Sequence, residues 1–243
     1  MHDLTQRQVE ILKSLIEEYI ETAEPVGSET LEKKHNLSAS PATIRNEMVK
    51  LTDLGYLKKP HASAGRVPTP DGMKFYVRQL MREKELSVAD TVALKEKVWD
   101  YRERSDRFLR ALVKSLADRT KALAIATTED GDIYLSGYAN ILDMPEFFDI
   151  DVTKNLLETL DELGVIQSIF AGVIGGDEDI HILLGDELGP RLKGPYGCVF
   201  ANYKTPKHNG EIGVIGPSRL NYTNIVPTVR YFGDLISEIA LGW

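Results

Sequence analysis

A single cysteine, Cys198, stands in 243 residues, which excludes an intramolecular disulfide and leaves too few thiolates for a zinc cluster. Long apolar runs are also missing: stretches such as ALAIA at 122–126 fall far short of the ~20 residues that a bilayer span requires. The opening MHDLTQRQ has no basic n-region and no apolar h-region, so a secretory signal is not expected and a cytoplasmic location is. Histidines at 2, 35, 61, 181 and 208 show no metal-ligand spacing. The spaced glycines Gly210, Gly213 and Gly216 lack both the dinucleotide fingerprint and a Gly-Lys-Ser/Thr ending, so they read as strand and turn glycines. Cys198 lies in the alternating apolar stretch GCVFANY with no neighbouring base, and reads as a buried structural thiol. No catalytic constellation can be assembled, so an enzyme, a bound metal and a cofactor are all unexpected.

A basic overall charge is lacking as well. The net charge is −8, which at first argues against a nucleic-acid partner. Its distribution reverses that argument: residues 1–84 carry 13 basic and 12 acidic side chains, and within them residues 41–84 carry nine basic and four acidic ones. Positive charge is concentrated in one short stretch, where a phosphate backbone would be met, while acidity elsewhere limits non-specific association.

That stretch follows three predicted helices. TQRQVEILKSLIEEYIETA (5–23) opens with a Thr5–Gln8 capping box and carries Val9, Leu12, Leu15, Ile16 and Tyr19 on one face. Glu24-Pro25-Val26-Gly27 breaks it, and Ser28 caps a short second helix with Leu31 inward. After the turn Asn36-Leu37-Ser38, Ser40 is an N-cap and Pro41 occupies the first helical position of a third helix. That helix runs to about Leu54 and is stopped by Gly55. Ile44, Met48 and Leu51 form its buried stripe, so Thr43, Arg45, Asn46 and Lys50 face outward or flank it. Two strands, 56–61 and 65–69, then make a ribbon turned at Ala62-Ser63-Ala64, before the helix DGMKFYVRQLM.

Three helices and a basic ribbon in this order make a winged helix–turn–helix, with the third helix as recognition helix. Ser40 and Thr43 offer small hydroxyls for close approach. Arg45 and Asn46 have the bidentate geometries that read guanine and adenine. Lys50, Lys58, Lys59 and Arg66 suit phosphates, Arg66 being placed to probe a minor groove. His61 suits either a phosphate contact or packing within the ribbon.

A charged helical linker is expected over 85–121, with Val98, Tyr101, Phe108, Leu112, Leu116 and Leu123 in an approximate stripe that packs on a partner helix or on the C-terminal domain. From 122 the pattern becomes mixed. Asp130-Gly131 turns a hairpin in ALAIATTEDGDIYLSGY, and residues 145–164 read as a helix with Leu156, Leu157, Leu160 and Leu163 inward. Residues 166–174, 179–188 and 196–203 read as strands, and a last helix is entered through Pro227. The fold class expected is α+β: a winged helix–turn–helix domain at 1–84, the linker, and an antiparallel or mixed sheet flanked by helices at 122–243.

The segments RQVEILKSLIEEYI, SPATIRNEM, LTDLGYLKKPHASAGRVPT and DGMKFYV, with IYLSGYANILDMPEF and IGVIGPSRLNYTNIV further on, closely resemble the heat-inducible transcription repressor HrcA family. The resemblance implies a GAF-like C-terminal domain and a repressor that binds an inverted-repeat operator upstream of chaperone genes. It also implies help from the chaperonin GroEL in staying active; a homodimer is expected from the two-fold operator, not from the family's usual dimer interface. One departure is plain. Family members carry a long inserted dimerisation segment where only TTEDGD stands here, so the C-terminal domain is a reduced one.

Two rivals to a DNA-binding repressor remain open at this point: a ligand-sensing regulator with a small-molecule site in the C-terminal domain, and a module whose helix–turn–helix packs on protein. Arg219 and Tyr222, after a strand and near a helix entrance, form a candidate effector or partner site; the competing expectation is that Arg219 pairs with an acidic residue and fixes the turn.

Overall fold

The computed structural model describes residues 4–35, 37–61, 63–102, 104–171, 179–206 and 209–239. The chain divides into two compact units, Met1–Arg82 and Glu83–Trp243.

In the first unit, α1 (Gln6–Thr22) starts at the Thr5 capping box and ends at Ala23 in the left-handed region. Its inward face buries Ile11, Leu12, Leu15 and Ile16. It also buries Glu18, which the hydrophobic pattern alone did not single out. Lys34 Nζ (2.6 Å) and His35 Nε2 (3.2 Å), in the last turn of α2 (Ser28–His35), hold that carboxylate. The Lys34 hydrogen bond keeps the Glu18 carboxyl below its usual range. Ser28 is the first residue of α2 and is buried, and Leu31 is fully buried as expected.

Helix α3 (Pro41–Asp53) follows the N-cap expectation closely. Ser40 Oγ accepts the Thr43 N–H at 3.3 Å, Pro41 is the first helical residue, and Gly55 adopts φ +83° just beyond the end. The ribbon is shorter than the two expected strands: β1 is Leu57–Lys58 and β2 is Val67–Pro68, paired antiparallel with Leu57 opposite Pro68. What replaces the missing ladder is a bridge to the segment before α2, in which Val26 and Arg66 exchange both backbone hydrogen bonds at 2.9 Å. Gly65 is required beside it, because a Cβ there would lie 2.4 Å from the Val26 carbonyl oxygen. Helix α4 (Pro70–Phe75), capped by Thr69, continues as a π-turn over Tyr76–Leu80.

In the second unit a five-stranded, wholly antiparallel sheet has the order β4-β3-β7-β6-β5, with β3 Leu123–Thr127, β4 Ile133–Ser136, β5 His181–Leu184, β6 Tyr196–Lys204 and β7 Asn209–Pro217. The stretch 85–121 holds two helices, α5 (Val88–Trp99) and α6 (Ser105–Thr120). Both belong to this unit: α6 packs on β3, β4 and β7, and α5 packs on α6. Val98, Phe108, Leu112 and Leu116 are buried as the stripe requires, whereas Tyr101 is exposed. An ion pair, Arg119 to Asp90 at 3.0 Å, joins α6 to the first turn of α5.

The opposite face of the sheet is covered by α7 (Tyr138–Leu142), a 3₁₀ turn (Pro145–Phe148), α8 (Ile150–Leu160) and α9 (Leu163–Ala171). Their apolar side chains join Leu123, Ile125, Cys198, Phe200 and Ile215 in one cluster. Three expectations are corrected here. Residues 166–171 are helical, not extended: Ile166, Ile169 and Phe170 recur at helical spacing and all are buried. The rest of that expected strand, 172–174, lies outside the described residues, as do His2, Asn36, Ala62 and His208. Leu157 is exposed although it was expected inward, because it shares the outer face of α8 with Ile150. The strand expected over 179–188 stops at Leu184 and gives way to a 3₁₀ turn, Gly185–Leu188.

Helix α10 (Tyr222–Ile239) packs on β6, β7 and α6. Pro227 is not at its entrance but inside it, a correction with a visible cause. A proline has no N–H, so the carbonyl of Thr223, four residues back, loses its helical partner. The Lys84 N–H takes that carbonyl at 2.9 Å, and Arg230, one turn on, grips Glu83 with two hydrogen bonds of 2.5 and 3.1 Å. The freed acceptor is therefore satisfied, as a carbonyl in a buried helix must be.

Candidate nucleic-acid interface

Three core contacts set the orientation of α3. Ile44 and Leu51 are fully buried and Met48 is nearly so, which leaves the other side of the helix to solvent. Arg45, Asn46 and Lys50 are exposed and Thr43 is half-buried. At about 100° per residue, Glu47 and Thr52 fall on the two opposite edges of the buried stripe. Each edge is tied to a different neighbour. On one, Gln8 Nε2 of α1 donates to Glu47 at 3.0 Å; on the other, Arg66 Nε of the ribbon donates to Thr52 Oγ1 at 3.1 Å. The outer face of α3 is thus held between two fixed flanks.

The first turn of α3 presents two hydroxyls together, Ser40 Oγ and Thr43 Oγ1, 3.0 Å apart. Ser40 thereby caps the helix and keeps a second contact at its exposed tip. Beyond them Arg45 and Asn46 project outward. Lys50 is paired with Glu47 at 2.8 Å, and this pairing, with the Gln8 hydrogen bond, holds the Glu47 carboxyl below its usual range. On the ribbon Lys58, Lys59 and His61 are exposed, and His61 Nδ1 lies 3.2 Å from Ser63 Oγ. Arg66 is half-buried, its backbone bridged to Val26 and its Nε bonded to Thr52, so it braces the ribbon as well as charging it. The structure brings these side chains onto one unit: Ser40 to Lys50 on a single helix, Lys58 to Arg66 on the ribbon after it.

Arg219 and Tyr222 are placed differently. Arg219 Nε and Nη2 grip both carboxylate oxygens of Glu146, at 2.6 and 3.0 Å, and both side chains are only 14% exposed. Tyr222 is fully buried and its hydroxyl donates to the Ser218 carbonyl at 2.7 Å. A ligand at this corner would have to displace Glu146 to reach the guanidinium. Cys198 is buried too, and burial pushes its thiol far above the usual range, which removes nucleophilic character. Among the described residues no group of three or more His, Cys, Asp or Glu is placed to hold a metal ion. No helix among them is long and apolar enough to cross a membrane.

Residues 3–81 match the family model described as "Winged helix-turn-helix transcription repressor, HrcA DNA-binding", and residues 71–226 match "HrcA protein C terminal domain". The chain belongs to the HrcA family. It is 27% identical to the heat-inducible transcription repressor HrcA of Ruminiclostridium cellulolyticum over 97% of each chain, and 26% identical to that of Desulforudis audaxviator over 97% of this chain and 98% of the relative. The first of these alignments runs over 339 residues although this chain has 243, so about a hundred positions of that HrcA face no residue here. Between β3 and β4 the chain makes a tight turn, with Thr128 N–H to Asp132 O and Gly131 N–H to Thr128 O both at 3.0 Å. The same fold occurs in a crystal structure of a hypothetical protein, with a TM-score of 0.77 at 18% identity over 99% of both chains.

Proposed function

We propose that this HrcA-family chain is a sequence-specific transcriptional repressor of heat-shock genes, binding an inverted-repeat operator as a homodimer. The observation that carries the reading is the exposed outer face of α3, with Arg45 and Asn46 free of the core while Ile44, Met48 and Leu51 anchor the helix behind them. In this reading the first turns of α3 enter the major groove. Arg45 and Asn46 read base edges with Ser40 and Thr43 beside them, and Lys50, Lys58, Lys59, His61 and Arg66 meet phosphates. The first unit binds DNA; the second regulates it and brings two copies together. Two recognition helices about 34 Å apart suit successive half-sites on one face of the duplex.

Family membership supports chaperone genes as the targets, heat as the inducing signal, the cytoplasm as the location and the chaperonin GroEL as a partner that keeps the repressor active. The charge distribution supports DNA as the partner independently of the family. Selection of bound sites from random duplex at defined salt tests the reading. A palindromic consensus with half-sites one helical turn or a multiple of it apart is expected. Recovery of no preferred sequence would refute it.

A further inference from the structure

The ribbon guards only one flank of α3. On the other flank, the edge where Gln8 holds Glu47, a groove of about 620 Å³ runs between the first turns of α1 and the turn that leads into α3. Its walls include Arg7, Ser38, Ala39 and Lys50. Two carboxylates also line it, and each already has a polar partner: Glu47 takes hydrogen bonds from Gln8 and Lys50, and Glu10 takes one from Gln6 at 3.1 Å. Lys50 is in turn held by Glu47 at 2.8 Å. Arg7 differs. It is exposed and makes no ion pair within 4 Å and no side-chain hydrogen bond among the described residues; its charge reaches Glu47 only through space, helping to hold that carboxyl below its usual range.

We propose that Arg7 is a second phosphate anchor, on the flank of α3 opposite the ribbon, so that a DNA backbone strand is gripped on each side of the recognition helix. The proposal rests on the DNA-binding reading given above and extends it to a residue in another helix, outside the charged stretch 41–84. The mechanism is one of position. A guanidinium offers five donors in a planar fork that matches phosphate oxygens. Because α1 is tied to α3 through Gln8 and Glu47, a phosphate held at Arg7 sets the depth of α3 in the groove. Such a contact carries no sequence information itself; it fixes the register in which Arg45 and Asn46 meet bases.

The test is titration of the full chain against the selected operator and against a random duplex across a salt series, for the unmodified protein, Arg7→Ala, Arg7→Gln and Arg7→Lys. Arg7→Ala and Arg7→Gln are expected to weaken binding to both duplexes by the same factor, about five- to tenfold near 0.1 M salt. They should also flatten the log–log salt slope by about 0.9. Arg7→Lys should keep most of the affinity and the slope. Wild-type affinity and slope in Arg7→Ala, alongside salt-dependent binding by the unmodified protein, would overturn the anchor and leave the repressor reading standing. Loss on the operator alone would overturn it as well, making Arg7 a base reader. Absence of any duplex binding by the unmodified protein would sink the DNA reading itself, and the anchor with it.

Discussion

Two corners of this molecule look alike in sequence and differ in their partners. SPATIRN at the start of α3 and GPSRLNY at the start of α10 each combine a proline, a serine, an arginine and an asparagine at a helix entrance. At the first, the arginine and asparagine are exposed and the buried work is done by Ile44, Met48 and Leu51. At the second, the arginine closes on Glu146 and the tyrosine that follows is sealed in the core. A polar residue at a helix entrance becomes available for recognition only if nothing within the chain has already satisfied it. The acid that satisfies Arg219 lies 73 residues away, beyond the reach of any local pattern.

That difference predicts opposite consequences for two arginine substitutions. Arg219→Ala leaves a largely buried Glu146 carboxylate without its partner and should destabilise the second unit by about 2–4 kcal/mol in denaturant unfolding, with no change in duplex affinity measured under folded conditions. Arg45→Ala should do the reverse: about 1–3 kcal/mol lost from operator binding, relaxed preference at one base position, and an unchanged unfolding midpoint. Equal losses on operator and random duplex would make Arg45 a phosphate contact and blur the contrast. Ser40→Ala touches both properties, because Ser40 is a cap and a surface hydroxyl at once. It should cost about 1 kcal/mol of stability, visible as a lowered midpoint of the first unit.

The smallest expected effect is one of pH. The Arg119 hydrogen bond, helped by Ser87, holds the Asp90 carboxyl down to about 2. A depressed carboxylate adds stability above its unfolded value near 3.8 and loses it as pH falls through about 2. Asp90→Asn should therefore be less stable than the unmodified chain at neutral pH and converge with it in acid. A constant gap down to pH 2 would show that the loss comes from packing and not from the charge.

What could be read from the sequence was what depends on neighbours in the chain. The Ser40 cap, the Pro41 start, the Gly55 stop and the 44–48–51 stripe are all local, and α3 was legible down to its ends. The Asp130-Gly131 hairpin and the long strand β6 were legible for the same reason; β7 showed only as glycines suited to a strand and turn, its bounds unread. Residues 166–171 misled because IQSIFA is short, apolar and rich in β-branched and aromatic residues; only burial of Ile166, Ile169 and Phe170 on the sheet selects the helical period. Glu18 and Arg7 escaped notice for a different reason. Each lies on α1, and the meaning of each comes from residues on α2 or α3 that only folding brings near. Pro227 looked like a helix start because its unsatisfied carbonyl has a remedy 139 residues upstream, at Lys84.

That remedy has a mechanical result. Glu83 and Lys84 fasten the start of the second unit to α10, at Arg230 and at the Thr223 carbonyl. Prying that strap away would bare an acceptor that α10 cannot satisfy from within, so the helix and the segment that crosses it should come apart together.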